Sequence, residues 1–281
     1  MKNLNRSRLI KRLNRILIYL LVLLAVFLSV APIVYLLITS FKEPELTFAI
    51  PPVWNFTPTW LNYNVVLSSS NFGKYFINSL VIALSATGIA LVLGTLAAYG
   101  FSRFRFRGHF WLRISTLIPQ MLPPITLVVP FYVLFSGLDW IDTLPALIIS
   151  YLTFTIPLSI WMMIGFFDDV PIELEEAAMI DGCSRFSALI RISLPLVLPG
   201  MAATAILGFL YCWNEFLYAV ILTGRDARTL PVIITSFMTN RSVHWGRIAA
   251  SGSLVLIPVL VFALLAQRYL VRGLARGAVK A

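Results

Sequence analysis

The polar segment of residues 170–200 gathers charged and small side chains between two hydrophobic runs. Pro171 suits the first position of a helix, where a missing N–H costs nothing, and Asp168 or Asp169 is placed to cap it. Three carboxylates follow in the first turn, where the positive end of the helix dipole favours them: Glu173, Glu175 and Glu176. The segment therefore predicts a capped helix with an acidic start.

The residues that follow predict a helix–turn–helix. Gly182 supplies the left-handed residue that commonly closes a helix. A second short helix is predicted over residues 184–193, and Pro195 and Pro199 are expected to break it before the next apolar run. The first helix would present a small, flat apolar face that fits a cleft on another protein: Ala177, Ala178 and Ile180. The chemistry expected of this segment is thus the recognition of a partner.

The remaining reactive side chains form no reaction centre in the sequence. His109 and His244 are the only histidines, so no cluster has metal-ligand spacing. Cys183 and Cys212 lie in a polar segment and an apolar run, and they provide no disulfide framework. The sequence also lacks a GxxxxGK(S/T) phosphate-binding loop. We therefore predict that the chain is not an enzyme and binds no cofactor itself.

Composition indicates an integral membrane protein. The chain has 281 residues, of which 59% are hydrophobic and 12% are charged, whereas about 25% charged residues are usual in soluble domains. Its mean hydropathy is +0.88. The net charge of +10 does not indicate nucleic-acid binding, because the basic residues lie beside apolar runs rather than in a patch on a soluble fold.

Several apolar runs predict an all-α membrane protein with six transmembrane helices. The first run is longer than the roughly 7–15 residues of a signal-peptide core, so it is predicted to remain as a helix. The third contains several prolines and is expected to be kinked or interrupted. The six runs are residues 16–41, 75–102, 114–138, 144–167, 199–222 and 248–267.

The basic residues predict the orientation of these helices. Six spans place both termini on one side, and that side carries 16 of the 22 Lys and Arg residues. The positive-inside rule therefore places both termini and segment 170–200 in the cytoplasm. Arg103, Arg105 and Arg107 are expected to contact lipid phosphates. Three aromatic residues of the first outer loop fit a membrane interface: Trp54, Trp60 and Tyr63.

The spaced pattern of this segment resembles the EAA loop of permease subunits in ATP-binding-cassette importers. The pattern comprises Glu176-Ala177-Ala178, Asp181-Gly182 and Ile192-Ser193-Leu194-Pro195. Cys183 stands where the family usually has alanine, and both residues are small. The resemblance implies a cytoplasmic loop that docks on a separate ATP-hydrolysing subunit through Glu176, Ala177, Ala178, Ile180, Asp181 and Gly182.

Further motifs resemble the carbohydrate-importer branch of this family over nearly the whole chain. They imply the type I importer permease fold and a disaccharide, oligosaccharide or related polyol as the solute. The glycines near the C-terminus suggest an irregular tail that touches the ATPase. The motifs are Asn78-Ser79, Tyr99-Gly100-Phe101-Ser102-Arg103, Trp213-Asn214-Glu215-Phe216, Thr229-Leu230-Pro231, Gln267-Arg268-Tyr269, Gly273 and Gly277-Ala278-Val279-Lys280.

The resemblance also implies domains and partners. Residues 1–74 would hold the basic tail, the first helix and an outer loop. Residues 75–267 would form the five-helix core, and residues 268–281 a cytoplasmic tail. The expected partners are a second homologous permease, two ATPase subunits that bind ATP and Mg²⁺, an extracytoplasmic solute-binding protein, membrane lipid and the sugar. The assembly is expected in the cytoplasmic membrane.

Glu215 allows two interpretations. A carboxylate within a span costs at least about 2.5–3.5 kcal/mol at mid-helix, so it is by default a functional candidate. It would either contact a sugar together with nearby amides and aromatic rings, or bond to a neighbouring helix near the outer interface. Both interpretations stay open at this point. The candidate residues of a substrate pathway are Asn78, Tyr151, Trp213, Asn214, Glu215 and Tyr218.

Three other functions compete with carbohydrate import. An importer permease for a phosphorylated or non-sugar solute fits the same loop. A stand-alone secondary carrier would be expected to contain repeated halves, and no repeat relates residues 16–138 to residues 144–267. A membrane-embedded enzyme is disfavoured by the absence of clustered His, Asp or Cys near an interface.

Overall fold

The structure, a computed structural model, describes residues 2–69, 71–238 and 243–277. The described residues are mostly α-helical, as predicted. They divide into two compact units, one formed by residues 1–70 and 237–254 and the other by residues 71–236 and 255–281.

The first unit contains α1 (Lys2–Ser40), a 3-10 turn at Pro44–Phe48, α2 (Leu61–Ser69) and the start of the last helix, α13 (Trp245–Gly277). The second unit contains the rest of α13 and the helices between. These are α3 (Phe72–Arg103), α4 (His109–Ser115), α5 (Ile118–Met121), α6 (Pro124–Gly137), α7 (Leu144–Asp168), α8 (Glu173–Ile180), α9 (Arg185–Ala188), α10 (Leu194–Trp213), α11 (Leu217–Leu222) and α12 (Leu230–Thr235).

The prediction of an all-α membrane protein with six transmembrane helices is confirmed: the described residues contain five helices long and apolar enough to cross a membrane, and a sixth if one bent pair counts as a single span. A broken sixth segment joins His109–Met121 to Pro124–Gly137 with a bend of 88°, as expected from the prolines of the third run. Proline removes a backbone donor and clashes with the preceding turn, so a break at this place follows from the sequence. The five long helical segments are Arg12–Ser40, Phe72–Arg103, Leu144–Asp168, Arg185–Trp213 and Trp245–Leu265.

The predicted boundaries around the fifth run are wrong. Instead of ending before the run, the helix that starts at Arg185 continues to Trp213. A π turn at Leu189–Ser193 precedes Pro195, and the N–H of Leu194 donates to the carbonyl of Leu189. The π turn changes the hydrogen-bond register just before Pro195, which has no N–H to donate. The helix therefore continues through the proline.

The C-terminal tail also differs from the expectation of an irregular segment. Helix α13 continues through Gly273 and ends at Gly277. A glycine costs a helix only about 1 kcal/mol relative to alanine, and the neighbouring residues are mostly good helix formers. Residues 278–281, which include the last part of the predicted tail motif, lie outside the described residues.

The core of the second unit is the packing of α3 against α7 and α10. Gly94 of α3 is buried, and a Cβ placed there would overlap Ser159 Cβ and crowd the backbone of Ile160 on α7. The absence of a side chain at Gly94 therefore lets the two helices approach closely. At Gly88 and Gly100, by contrast, no atom of the described chain lies within 4 Å of an added Cβ.

The loop after α11 is held in place by Asp142. The two oxygens of its carboxylate accept hydrogen bonds from the backbone N–H groups of Arg225, Asp226 and Ala227 at 2.8–3.1 Å. Burial raises the pKa of the Asp142 carboxyl, but these N–H groups outweigh it and leave the pKa below its ordinary value. The carboxylate therefore stays charged at neutral pH and fixes the shape of this loop.

The first unit places two of the predicted interfacial aromatic residues at its surface. Trp54 and Trp60 are exposed, whereas Tyr63 is buried and its hydroxyl is bonded to Ser40 Oγ at 2.8 Å. Lys42 is buried as well, and its Nζ lies 5.4–5.9 Å from the ring centroids of Tyr35, Trp54 and Phe56. The segment after α1 is thus folded around a cation–π cluster.

Candidate functional site

The predicted helix–turn–helix exists, with one change at its start. Helix α8 runs from Glu173 to Ile180 and begins two residues after Pro171. Ile172 occupies the N-cap position, so neither of the predicted aspartates is the N-cap residue. Asp168 instead ends α7 and accepts a hydrogen bond from Ser102 Oγ at 2.6 Å. The three glutamates lie in the first turn of α8, as predicted.

The turn after α8 depends on a glycine, as predicted. Gly182 has φ = +93°, a conformation that side chains with a Cβ rarely adopt. The N–H of Cys183 donates to the carbonyl of Ala178 at 2.9 Å, which closes the helix. Ser184 then caps α9, because its Oγ accepts a hydrogen bond from the N–H of Ser187 at 3.2 Å.

Five of the six predicted docking residues form one exposed surface, here called the α8 surface: Glu176, Ala177, Ile180, Asp181 and Gly182. Ile180 is 87% exposed, so this surface presents a large apolar side chain beside two carboxylates. Phe186 of α9 is also exposed. The sixth residue, Ala178, is buried at 9% exposure and packs inward. The predicted flat face of Ala177, Ala178 and Ile180 is therefore divided between two sides of the helix.

The inner side of α8 carries an ion pair that the sequence analysis missed. The carboxylate of Glu175 accepts a hydrogen bond from Arg103 Nε at 2.7 Å, and both side chains are almost fully buried. Arg103 was expected to contact lipid phosphates, and for this residue that expectation is wrong. Arg105 and Arg107 are exposed, as that expectation requires. Arg103 is buried beside Glu175 because a buried carboxylate requires a charged partner.

Two further groups complete the surroundings of Glu175. Its Oε1 accepts a hydrogen bond from Ser193 Oγ at 2.5 Å, and its Oε2 accepts one from Tyr99 OH at 2.9 Å. Burial raises the pKa of the Glu175 carboxyl, but the hydrogen bonds from Ser193, Arg103 and Tyr99 outweigh burial and lower the pKa overall. This carboxylate is therefore charged at neutral pH, and both of its oxygens accept hydrogen bonds.

Most of the predicted pathway residues are bonded inside the second unit. Asn78 Nδ2 donates to the carbonyls of Asp226 and Arg228 at 2.8 and 3.1 Å. Trp213 is 1% exposed, stacks on Phe209 and donates from Nε1 to the carbonyl of Val255 at 3.3 Å. These contacts support a structural role for both side chains.

The other pathway candidates surround the break between α10 and α11. Glu215 lies in this break rather than within a span. Its two carboxylate oxygens accept hydrogen bonds from the N–H groups of Tyr218 and Ala219 at 2.9 and 3.2 Å, so it caps α11. Tyr151 and Tyr218 are buried with ring centroids 6.5 Å apart, whereas Asn214 is exposed. The cap favours the structural interpretation of Glu215.

The two interpretations of Glu215 differ in what Glu215→Gln should change. A glutamine offers one acceptor oxygen instead of two, so the cap weakens by about 1 kcal/mol. We expect a lower melting temperature and less assembled protein, with the solute KM of the assembled protein changed less than about twofold, because the lost bonds are to the protein itself. Solute titrations of uptake measure this. A large rise in KM at normal stability would instead support contact with the solute.

Comparison with known proteins shows the family of this chain. A family profile described as "Binding-protein-dependent transport system inner membrane component" matches residues 90–276. The trehalose/maltose transport system permease protein MalG of Thermococcus litoralis is 37% identical over 272 residues, which cover 95% of this chain and 98% of that protein. The trehalose transport system permease protein SugB of Mycobacterium tuberculosis is 37% identical over 260 residues, with coverage of 92% and 94%.

A solved structure shares the fold. One chain of a bacterial ABC transporter involved in the import of the acidic polysaccharide alginate superimposes with a TM-score of 0.73 and 20% sequence identity. The match covers 92% of this chain and 96% of that chain. It therefore confirms the predicted type of fold, that of an importer permease, over nearly the whole length.

Proposed function

Because the chain belongs to the family of binding-protein-dependent transport system inner membrane components, we propose that it is the permease subunit of an ATP-driven carbohydrate importer. Members of this family are transport components rather than enzymes. The work of ATP hydrolysis is then done by separate subunits that bind ATP and Mg²⁺, and this chain converts that work into movement of its helices.

The observation that carries the proposal is the α8 surface. A short helix that exposes Ile180 at 87%, beside the carboxylates of Glu176 and Asp181, is suited to a groove on another protein. Its apolar side chain can be buried in the groove, and its carboxylates can pair with basic residues at the rim. We propose that the ATPase subunit provides this groove. Ala178 contributes indirectly by packing the helix onto its own chain.

The rest of the assembly follows from the family. Its description names a binding protein, so we propose a solute-binding protein on the outer side as a partner. Six spans are too few to enclose a sugar pathway comfortably, so a second, related permease completes it. The excess of basic residues on one side supports a cytoplasmic membrane location with both termini and α8 in the cytoplasm.

The proposed solute class comes from the relatives and from the chemistry near Glu215. Two relatives are named for trehalose or for trehalose and maltose, which favours a disaccharide or a related oligosaccharide or polyol. Aromatic rings also lie near the break between α10 and α11, with Phe154 4.8 Å from Tyr211 between ring centroids. Such rings provide apolar faces for the C–H groups of a sugar, and the exposed Asn214 offers an amide for its hydroxyls.

The proposal is tested by cross-linking in the assembled importer. In a Cys183→Ala background, Ile180→Cys should form a disulfide or short-spacer cross-link with single-cysteine variants of the ATPase subunit, because the α8 surface would lie in its groove. Trp54→Cys, also exposed but predicted on the opposite side of the membrane, is the matched control. Cross-linking of both positions, or of neither, contradicts the proposed docking.

A further inference from the structure

The buried side of α8 is bonded to three other parts of the second unit. Tyr99 and Arg103 come from the last turn of α3, and Ser193 comes from the π turn that leads into α10. All three donate to the one carboxylate of Glu175. A single side chain of the short helix α8 thus connects it directly to two of the long apolar helices.

The arginine of this network extends it further. Arg103 Nη2 donates to the carbonyl of Val170 at 2.9 Å, and its Nη1 donates to Ser102 Oγ at 3.1 Å. Ser102 in turn donates to Asp168 at the end of α7. The planar guanidinium therefore holds both ends of the short connection from α7 to α8. Its N–H groups donate in fixed directions, which the ammonium group of a lysine would not do.

An ion pair at this place is poorly explained by stability alone. A buried pair is often replaced by well-packed apolar side chains without loss of stability, because desolvation of two charges offsets their attraction. Directional bonds do provide one property that apolar packing lacks, a fixed orientation between the elements that they join. Helix α8 has eight residues and is too short to be stable alone, so its orientation depends on such bonds.

The helix that receives these bonds reaches the other end of the unit. Helix α3 has 32 residues, about 48 Å at 1.5 Å per residue. At its far end, Asn78 donates to the carbonyls of residues 226 and 228, and Ser79 Oγ accepts from the N–H of Leu230 at 2.8 Å. A displacement of the Arg103 end is therefore transmitted along a continuous helix to the loop that Asp142 also holds.

From these contacts we infer that the Glu175–Arg103 pair is the joint through which movement of α8 reaches α3 and α10. Glu175 and Arg103 are positioning residues, because they act through the helices that they connect. This inference rests on the proposed docking of an ATPase subunit on the α8 surface. ATP hydrolysis and import would then be coupled through a buried ion pair that does not itself contact the ATPase.

The test uses the complete importer, reconstituted in liposomes with its ATPase subunits, second permease and solute-binding protein. The quantity measured is the number of solute molecules imported per ATP hydrolysed, normalised to assembled complex. For Glu175→Gln we expect this ratio to fall about tenfold, within the range of coupling between two sites. Tyr99→Phe removes one hydrogen bond and keeps the ion pair, so we expect a smaller fall of about threefold, the size of effect that the loss of a single hydrogen bond produces.

Glu173→Gln is the matched control, because it makes the same change in the same turn at an exposed position, and its ratio should equal that of the unmodified importer. A purely structural pair would reduce the amount of complex and leave the ratio unchanged, and that result overturns the inference. If Glu175→Gln does not assemble, the ratio of Tyr99→Phe decides. If Gly182→Val also leaves the ratio unchanged, the proposed docking itself fails, which separates the two failures.

Discussion

Replacing Gly182 by valine is expected to reduce solute import at least about tenfold while the chain still enters the membrane. The residue has φ = +93°, and the left-handed region costs a residue with a Cβ roughly 1–2 kcal/mol, more for a β-branched one. Because no atom of the described residues lies within 4 Å of an added Cβ, the effect would come from the backbone alone. The turn would open and tilt the α8 surface away from its partner.

Gly182→Asn provides the control for this substitution. Asparagine tolerates the left-handed region much better than valine, so import by this variant should stay within about twofold of the unmodified importer. Uptake of labelled solute and the amount of chain in the membrane fraction are measured for both variants. Equal import by the valine and asparagine variants would show that the geometry of this turn does not matter for coupling.

The second large effect is expected at Gly94. A valine there would overlap the side chain of Ser159 on α7 and crowd the backbone of α7. Neither the side chain nor the backbone can move away unless the two helices separate. Overpacking of a close-packed core costs typically about 1–3 kcal/mol, and this contact lies at the centre of the second unit. We expect Gly94→Val to yield little monodisperse protein in detergent and to melt well below the unmodified chain.

Gly88→Val tests whether this effect comes from the close approach. The two glycines lie six residues apart on α3, but Gly88 is exposed and an added Cβ there meets no described atom within 4 Å. Its melting temperature should therefore remain near that of the unmodified chain. Similar losses at both positions would indicate that helix propensity, rather than packing of α3 on α7, causes the damage.

The features that the sequence predicted correctly depend on local chemistry. Long apolar runs specify membrane helices because the bilayer leaves few alternatives for the backbone. A glycine after a short acidic helix specifies a left-handed turn, since few other residues adopt it. The helix boundary at Pro195 was predicted wrongly, because the sequence does not reveal the π turn that precedes the proline and lets the helix continue. A proline usually ends a helix, but the conformation of the preceding turn decides whether it does so.

The features that the sequence did not predict depend on contacts between distant residues. Arg103 and Glu175 are 72 residues apart, and neither stands out among the other charged residues of its segment. In a basic loop, Arg103 has the same local signature as Arg105 and Arg107, which are exposed. One indirect signal existed, because Tyr99 and Arg103 belong to one of the motifs that resemble carbohydrate importers. That motif indicated a family, and only the fold showed its bonding partner.

The substrate pathway illustrates the same limit. Aromatic and amide side chains near Glu215 suggested contact with a sugar, and their types fit that role. The fold shows that Trp213 and Tyr218 are buried within this chain and that Glu215 caps α11. Residue types alone do not distinguish a side chain that lines a pathway from one that packs the helices around it.

The most direct test of the account compares solute uptake by liposomes that contain this chain alone with uptake by liposomes that contain the complete importer. In the proposed function, ATP is hydrolysed only by partner subunits, which act on this chain through the α8 surface. The proposed function predicts ATP-dependent accumulation of the solute by the complete importer and none by the chain alone. Accumulation of solute by the chain alone, without an ATPase, would contradict it.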